Sequence, residues 1–240
     1  MVVKEMSLNV GSEVRYRLKL IRENLLQNES LHSFAKRHNY CSSAINLLEN
    51  SYINFDTSTE LLLQSNSVGY NHYKDNRSCY DFNLNLIAGW VVEDFIVDKS
   101  NSLLELNGCD KDRQILKNKV TNEADLITYK NIPIEVHTEY FSRKAKLHKR
   151  KNGICLRDNK YLNLKNKDAF LLIINVADKT YILKKIKDFT VNCVREEPKF
   201  GGKLVTELTL NNIYSEFKPL SNLFYLFDKS AYLRAQKETI

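Results

Sequence analysis

Apolar residues recur along this chain with two different periods, and the change of period divides it. Over residues 12 to 66 the spacing is helical: Val14, Leu18 and Ile21 form one stripe, Leu31, Phe34 and Ala35 a second, and Ala44, Ile45 and Leu48 a third. "NLNLIAGWVVEDFIVDK" predicts a longer amphipathic helix, with Leu86, Trp90 and Val97 among its apolar positions and Glu93 set within them. Beyond it the spacing shortens. "SLLEL" is strand-like, "AFLLII" is a continuous apolar run of the kind a doubly covered central strand carries, and "TYIL" is expected as its neighbour. "LVTELTL" predicts another strand, and "SNLFYLFDKSAYLRAQK" a closing helix with Leu223, Leu226 and Phe227 inward. The pattern predicts an α+β chain, with a helical domain over residues 1–72 and a domain of strands and helices over 73–240.

Two short helices over residues 30 to 50 are separated by a tight turn. Ser30 is placed to cap the first, and Asn39 stands where a left-handed residue is needed, a conformation that Asn tolerates. Ala35 lets the two helices cross closely. With "RYRLKLIREN" before it and "LLENSYINFDTSTELLL" after it, the stretch over roughly residues 11 to 66 resembles the Cro/C1-type helix-turn-helix family. Phe34, Ala35, Ile45 and Glu49-Asn50 match; Glu29, Leu31 and Asn39 stand where the family usually has an apolar residue, Gln and Gly. The resemblance implies that Ser42, Ser43 and Asn46 on the second helix face the major groove of double-stranded DNA.

The segment "EADLITYKNIPIEVHTEY" poses a different question, because Glu135, His137 and Glu139 alternate along a strand and so share one face. A hairpin with the loop Tyr129-Lys130-Asn131 places Asn131 at the left-handed bulge position. Counting outward from that loop, Leu126 faces Ile134 and Asp125 faces Glu135. Opposed residues project to one face, with Cβ atoms about 5 Å apart. Two carboxylates so close repel and call for a cation. A hard divalent ion with oxygen ligands satisfies them, and Mg²⁺ is the default, since it takes one or two carboxylates together with phosphate oxygens and water. The solvent face of an edge hairpin would carry the same residues without any ion.

A helix bearing a Glu, a hairpin supplying an acid, and then an acid-x-cation element resembles the PD-(D/E)xK nuclease superfamily, over roughly residues 82 to 187. Glu93, Asp125 and Glu135-Val136-His137 carry the resemblance. Ala124 stands where that pattern has Pro, and His137 where it has Lys; Lys144 or Lys146 could supply the cation instead. The resemblance implies a restriction-endonuclease-like core, a mixed β-sheet flanked by helices. It also implies one or two Mg²⁺ ions held by Asp125 and Glu135, with Glu93 as an outer or additional ligand. His137 would act with the two acids as a catalytic residue.

Composition sharpens the choice of partner. The chain of 240 residues is 43% hydrophobic and carries a net charge of +7. Residues 142 to 187 hold 14 Lys and Arg against 3 Asp and no Glu, a basic run directly after the acidic face, in which Arg143, Lys144 and Lys146 are candidate phosphate contacts. The five scattered Cys show no C-x-x-C spacing, and no apolar run approaches 18 residues, so a reducing, cytoplasmic setting without a membrane is expected. Together these features predict a metal-dependent endodeoxyribonuclease, in its most concrete form a type II restriction enzyme. Cutting both strands of a palindromic site calls for a homodimer. A non-enzymatic helix-turn-helix transcription regulator, with residues 75 to 240 for dimerisation or effector binding, is the alternative. A repair or junction-resolving nuclease is a third reading.

Overall fold

The computed structural model of the protein describes residues 2–27, 29–49, 79–114, 122–140, 142, 153–197, 202–209 and 216–238. Among these, six α-helices and two β-sheets form a mixed α+β chain that begins with helices. The chain divides into two compact units. One comprises Met1–Val92, Asp112–Val120 and Pro198–Gly201; the other comprises Glu93–Lys111, Thr121–Glu197 and Gly202–Ile240. Among the described residues no helix is long and apolar enough to cross a membrane.

In the first unit, α1 (Val2–Asn24) buries Val14, Leu18 and Ile21 along one stripe, as its spacing predicts. The pair α2 (Leu31–Arg37) and α3 (Ser42–Glu49) follows. Ser30 caps α2: its hydroxyl accepts the Ser33 amide at 3.0 Å, which satisfies one of the donors left over at a helix start. Asn39 turns the chain with φ +54°, and Leu31, Phe34, Ala35, Ala44, Leu47 and Leu48 are buried. Ile45, expected inward, is only half-buried, and Leu47 takes the inward place. The Cys41 amide donates to the Arg113 carbonyl at 2.9 Å. Arg113 also lays its guanidinium 5.0 Å from the Trp90 ring centre, and Tyr40 meets that ring edge-on at 5.5 Å.

Helix α4 (Cys79–Lys99) contributes its residues up to Val92 to the first unit and those from Glu93 to the second. The second unit holds both sheets. The larger runs in the order β1 (Leu104–Leu106), β2 (Leu126–Thr128), β3 (Pro133–Glu139), β5 (Phe170–Asn175), β6 (Thr180–Lys185), β9 (Lys218–Pro219). The smaller runs in the order β4 (Gly153–Arg157), β8 (Lys203–Thr209), β7 (Val191–Glu197). Strand β5 is central and apolar, paired parallel to β3 and antiparallel to β6, as the uninterrupted run of apolar residues predicts. Between β4 and β5 the short helix α5 (Asp158–Asn166) buries Tyr161 and Leu164. These two residues join Ile154, Leu156 and Leu208 of the smaller sheet and Leu171, Ile173 and Ile182 of the larger one in a single apolar cluster.

The closing helix α6 (Leu220–Glu238) buries Leu223, whereas Leu226, expected inward, is 47% exposed. Phe224 takes the inward place, half-buried and edge-on to Phe95 at 5.7 Å. The run of apolar and aromatic residues at 223–227 covers more than one face of a helix, so periodicity alone does not choose among them.

The β2–β3 hairpin has the register that its sequence predicts: Leu126 faces Ile134 and Ile127 faces Pro133. Thr128 and Ile132 exchange the closing bonds, the Thr128 amide donating to the Ile132 carbonyl at 3.0 Å and the Thr128 hydroxyl accepting the Ile132 amide at 3.0 Å. Asn131 sits between them with φ +60°. A β-branched side chain at that φ is strained by about 1–2 kcal/mol. We therefore expect Asn131→Val to lower unfolding free energy by about that amount in urea titrations, and Asn131→Gly to leave it within a few tenths of a kcal/mol of the starting protein.

Candidate functional site

The acids meet where the hairpin enters the larger sheet. Asp125 stands just before β2, and its Oδ2 accepts the Val136 amide of β3 at 2.9 Å. That bond extends the hairpin by one step beyond its last paired residues and brings the Asp125 carboxylate beside Glu135. Both carboxylates then share one cation. The ammonium of Lys160, on α5, lies 2.7 Å from Glu135 Oε1 and 3.4 Å from Asp125 Oδ1. All three side chains are mostly withdrawn from water, at 8% exposure for Glu135, 15% for Asp125 and 17% for Lys160.

The face that gathers these groups is not a solvent face. In the parallel ladder Glu135 is level with Leu171 and His137 with Ile173, so the polar residues of β3 continue sideways the apolar face of β5. Helix α5 covers that face. Glu135 is buried at its edge, and His137 and Glu139 are half-buried further along the strand. Glu93, on α4, is half-buried too, and its charge acts on Glu135.

The electrostatics leave the site short of positive charge. Burial raises the Glu135 carboxyl well above its ordinary value, the Asp125 charge raises it further, Lys160 opposes the rise, and Glu93 adds to it. Burial alone would lower the Lys160 ammonium, but the charges of Asp125 and Glu135 outweigh it and raise the group above its ordinary value. The two shifts agree physically: the ammonium is held charged, while one ammonium between two carboxylates leaves net negative charge in a poorly hydrated place. The other Glu135 oxygen, Oε2, is buried with no hydrogen-bond partner. An orphaned carboxylate oxygen beside a second acid suits a divalent cation that takes one or two carboxylates and fills its remaining positions with water or phosphate oxygens. Among the described residues no group of three or more His, Cys, Asp or Glu side chains is arranged to hold a metal ion.

Of the residues singled out in the sequence, Asp125 and Glu135 are brought together around Lys160, Glu93 is near enough for its charge to act on Glu135, and His137 lies on the strand face of Glu135. Ser42 and Asn46 are exposed on α3 and Ser43 is half-buried there. Arg143, Lys144 and Lys146 lie outside the described residues. Lys160 lies at the heart of the cluster and was not singled out by the sequence pattern. It stands inside the basic run, where any single Lys resembles a solvated neighbour. The available signal was its position next to Tyr161 and Leu164, a short apolar stripe that turns one flank of a polar helix inward.

No protein-family model, curated protein or solved structure matches the chain.

A carboxyl whose folded pKa lies above its unfolded value binds its proton more tightly in the folded state. Its contribution to stability therefore falls as pH rises above the unfolded carboxyl pKa of about 4.3. The uncharged Glu135→Gln protein, in which Asp125 remains to neutralise Lys160, is expected to melt at a higher temperature than the starting protein at pH 8 without divalent ions. The difference should shrink as pH is lowered towards 4. Melting curves across that range check the expectation, and a Gln variant that is less stable at pH 8 contradicts it.

Proposed function

We propose that this protein is a Mg²⁺-dependent endonuclease that hydrolyses phosphodiester bonds in double-stranded DNA at specific sites, as a type II restriction enzyme does. The observation that carries the reading is the pair of acids, half-buried Asp125 and buried Glu135, around one ammonium, with a carboxylate oxygen of Glu135 left unpartnered. The order of parts supports it: a helix with an inward Glu, a hairpin with two converging acids, and an apolar central strand paired to that hairpin. On this reading the second unit is a restriction-endonuclease-like core and the protein works in the cytoplasm as a homodimer, since a palindromic duplex presents two equivalent strands.

Asp125 and Glu135 would hold one or two Mg²⁺ ions, with Glu93 as an outer or additional ligand. When bound, the ion lowers the pKa of water and stabilises charge on the scissile phosphate and on the leaving oxygen. Lys160 is kept protonated by the two acids and can donate to a phosphate oxygen as charge builds on it, the part the sequence pattern gave to His137. His137 then takes up or relays the proton of the attacking water, a task an imidazole performs near neutral pH. Ser42, Ser43 and Asn46 offer hydroxyl and amide groups to base edges in the major groove. Arg143, Lys144 and Lys146 neutralise backbone phosphates and make binding sensitive to salt.

One observation favours the alternative of a non-enzymatic helix-turn-helix regulator. Lys160 already neutralises part of the acidic charge, as it would in a purely structural buried ion pair.

Incubation with plasmid DNA of varied sequence and Mg²⁺ separates the two. The nuclease reading expects discrete fragments, none in EDTA, and loss of cutting by about 10²-fold or more in Asp125→Ala and Lys160→Ala with DNA binding retained. Sequence-specific DNA binding with no cutting by the unaltered protein in Mg²⁺ or Mn²⁺ overturns it in favour of the regulator.

A further inference from the structure

The helix that delivers Lys160 has little apolar surface to fix it. Its sequence is "DNKYLNLKN", and its buried residues are Tyr161 and Leu164. Its N-cap position, Arg157, makes no side-chain capping bond. Polar contacts on two sides do the rest. At the first residue Asp158 Oδ1 accepts the hydroxyl of Thr206 at 2.6 Å, which ties α5 to the middle strand of the smaller sheet. Lys160 follows two residues later, about 200° around the helix at 3.6 residues per turn, and holds Asp125 and Glu135. Asn163, one turn beyond Lys160 on the same side, donates to the carbonyl of Asn122 in the segment that leads to Asp125. Helix α5 is thus held from opposite sides, by a sheet hydroxyl on one and by the acidic segment on the other.

Thr206 is fully buried, in register with Leu156 of β4 and Val194 of β7. Strand positions facing an apolar cluster are usually filled by aliphatic side chains, and Leu208, two residues on and directed to the same face, is of that kind. A buried hydroxyl here has a partner to serve. Asp158 is that partner, and its carboxylate lies in the first turn, where the helix dipole favours a negative group.

We propose that Thr206 and Asp158 are positioning residues for Lys160. The buried hydroxyl of the smaller sheet anchors the Asp158 carboxylate, the anchored carboxylate fixes the rotation of α5, and that rotation sets where the ammonium stands between Asp125 and Glu135. The smaller sheet is on this account the support of the site's cation. The catalytic consequence rests on the nuclease reading above; the positional claim does not.

Two measurements test it. The first is the rate at which an acetylating amine reagent labels Lys160 at neutral pH, read by peptide mass spectrometry in the full-length protein. Thr206→Val should raise labelling of Lys160 several-fold, Thr206→Ser should restore protection, and Leu208→Val, a core change in the same strand that leaves the anchor intact, should leave Lys160 protected. Unchanged protection in a folded Thr206→Val protein overturns the proposal. So does an equal rise in Leu208→Val, which would mark general loosening. The second is Mg²⁺-dependent DNA cleavage, in which Thr206→Val should lower kcat by about tenfold or more with KM for DNA unchanged, and Thr206→Ser should recover it. A starting protein that never cuts DNA removes the nuclease reading, and the labelling result then decides the positional claim alone.

Discussion

The second unit depends on one buried electrostatic arrangement, an ammonium wedged between two carboxylates that strand pairing forces together. Taking any of these charges out of water is costly, and the attraction among them repays the cost only where geometry is good. The Val136 amide supplies one element of that geometry, since it fixes the Asp125 carboxylate against the next strand. Helix α5 supplies the other by reaching over the sheet face with Lys160. The arrangement is nonetheless incomplete, because Glu135 retains a buried oxygen without a partner. A site left in this condition favours whatever positive charge can reach it.

Much of this was legible in the residues. Period-two alternation together with one left-handed Asn is enough to count the hairpin register, because a slip of one residue would send Leu126 and Ile134 to the wrong face. The same holds for Ser30 and Asn39, whose side chains suit a cap and a turn for reasons local to the backbone. The six apolar residues at 169–174 could only be a covered strand or a buried helix, and their length decided it. What local pattern does not carry is which polar residue crosses from one element to another. Lys160 meets Asp125 across 35 positions of chain and Thr206 meets Asp158 across 48, and both contacts follow from how α5 lies between two sheets. Leu226 fails for the opposite reason: its neighbours are all apolar or aromatic, so the pattern offers several inward faces and tertiary packing selects one.

The polar face of β3 is not the solvated edge of a hairpin. Because β3 and β5 run parallel and level, the titratable residues sit at the rim of an apolar layer. Glu135 and Lys160 are displaced in the same upward direction although they bear opposite charges, and for different reasons. The acid is pushed towards its neutral form by burial and repulsion, while the base is held in its charged form by the acids around it.

The parallel pairing of β3 with β5 has a consequence for synthesis of the chain. Parallel neighbours cannot be joined by a tight turn; the intervening chain must cross over, and here the crossover contains β4 and α5. A growing polypeptide that has already exposed Asp125 and Glu135 has neither their ammonium nor the strand that covers them. Lys160 emerges next, on α5, and β5 only after it, so the residues of the cluster leave the ribosome as acids first, then their ammonium, then the strand beside them.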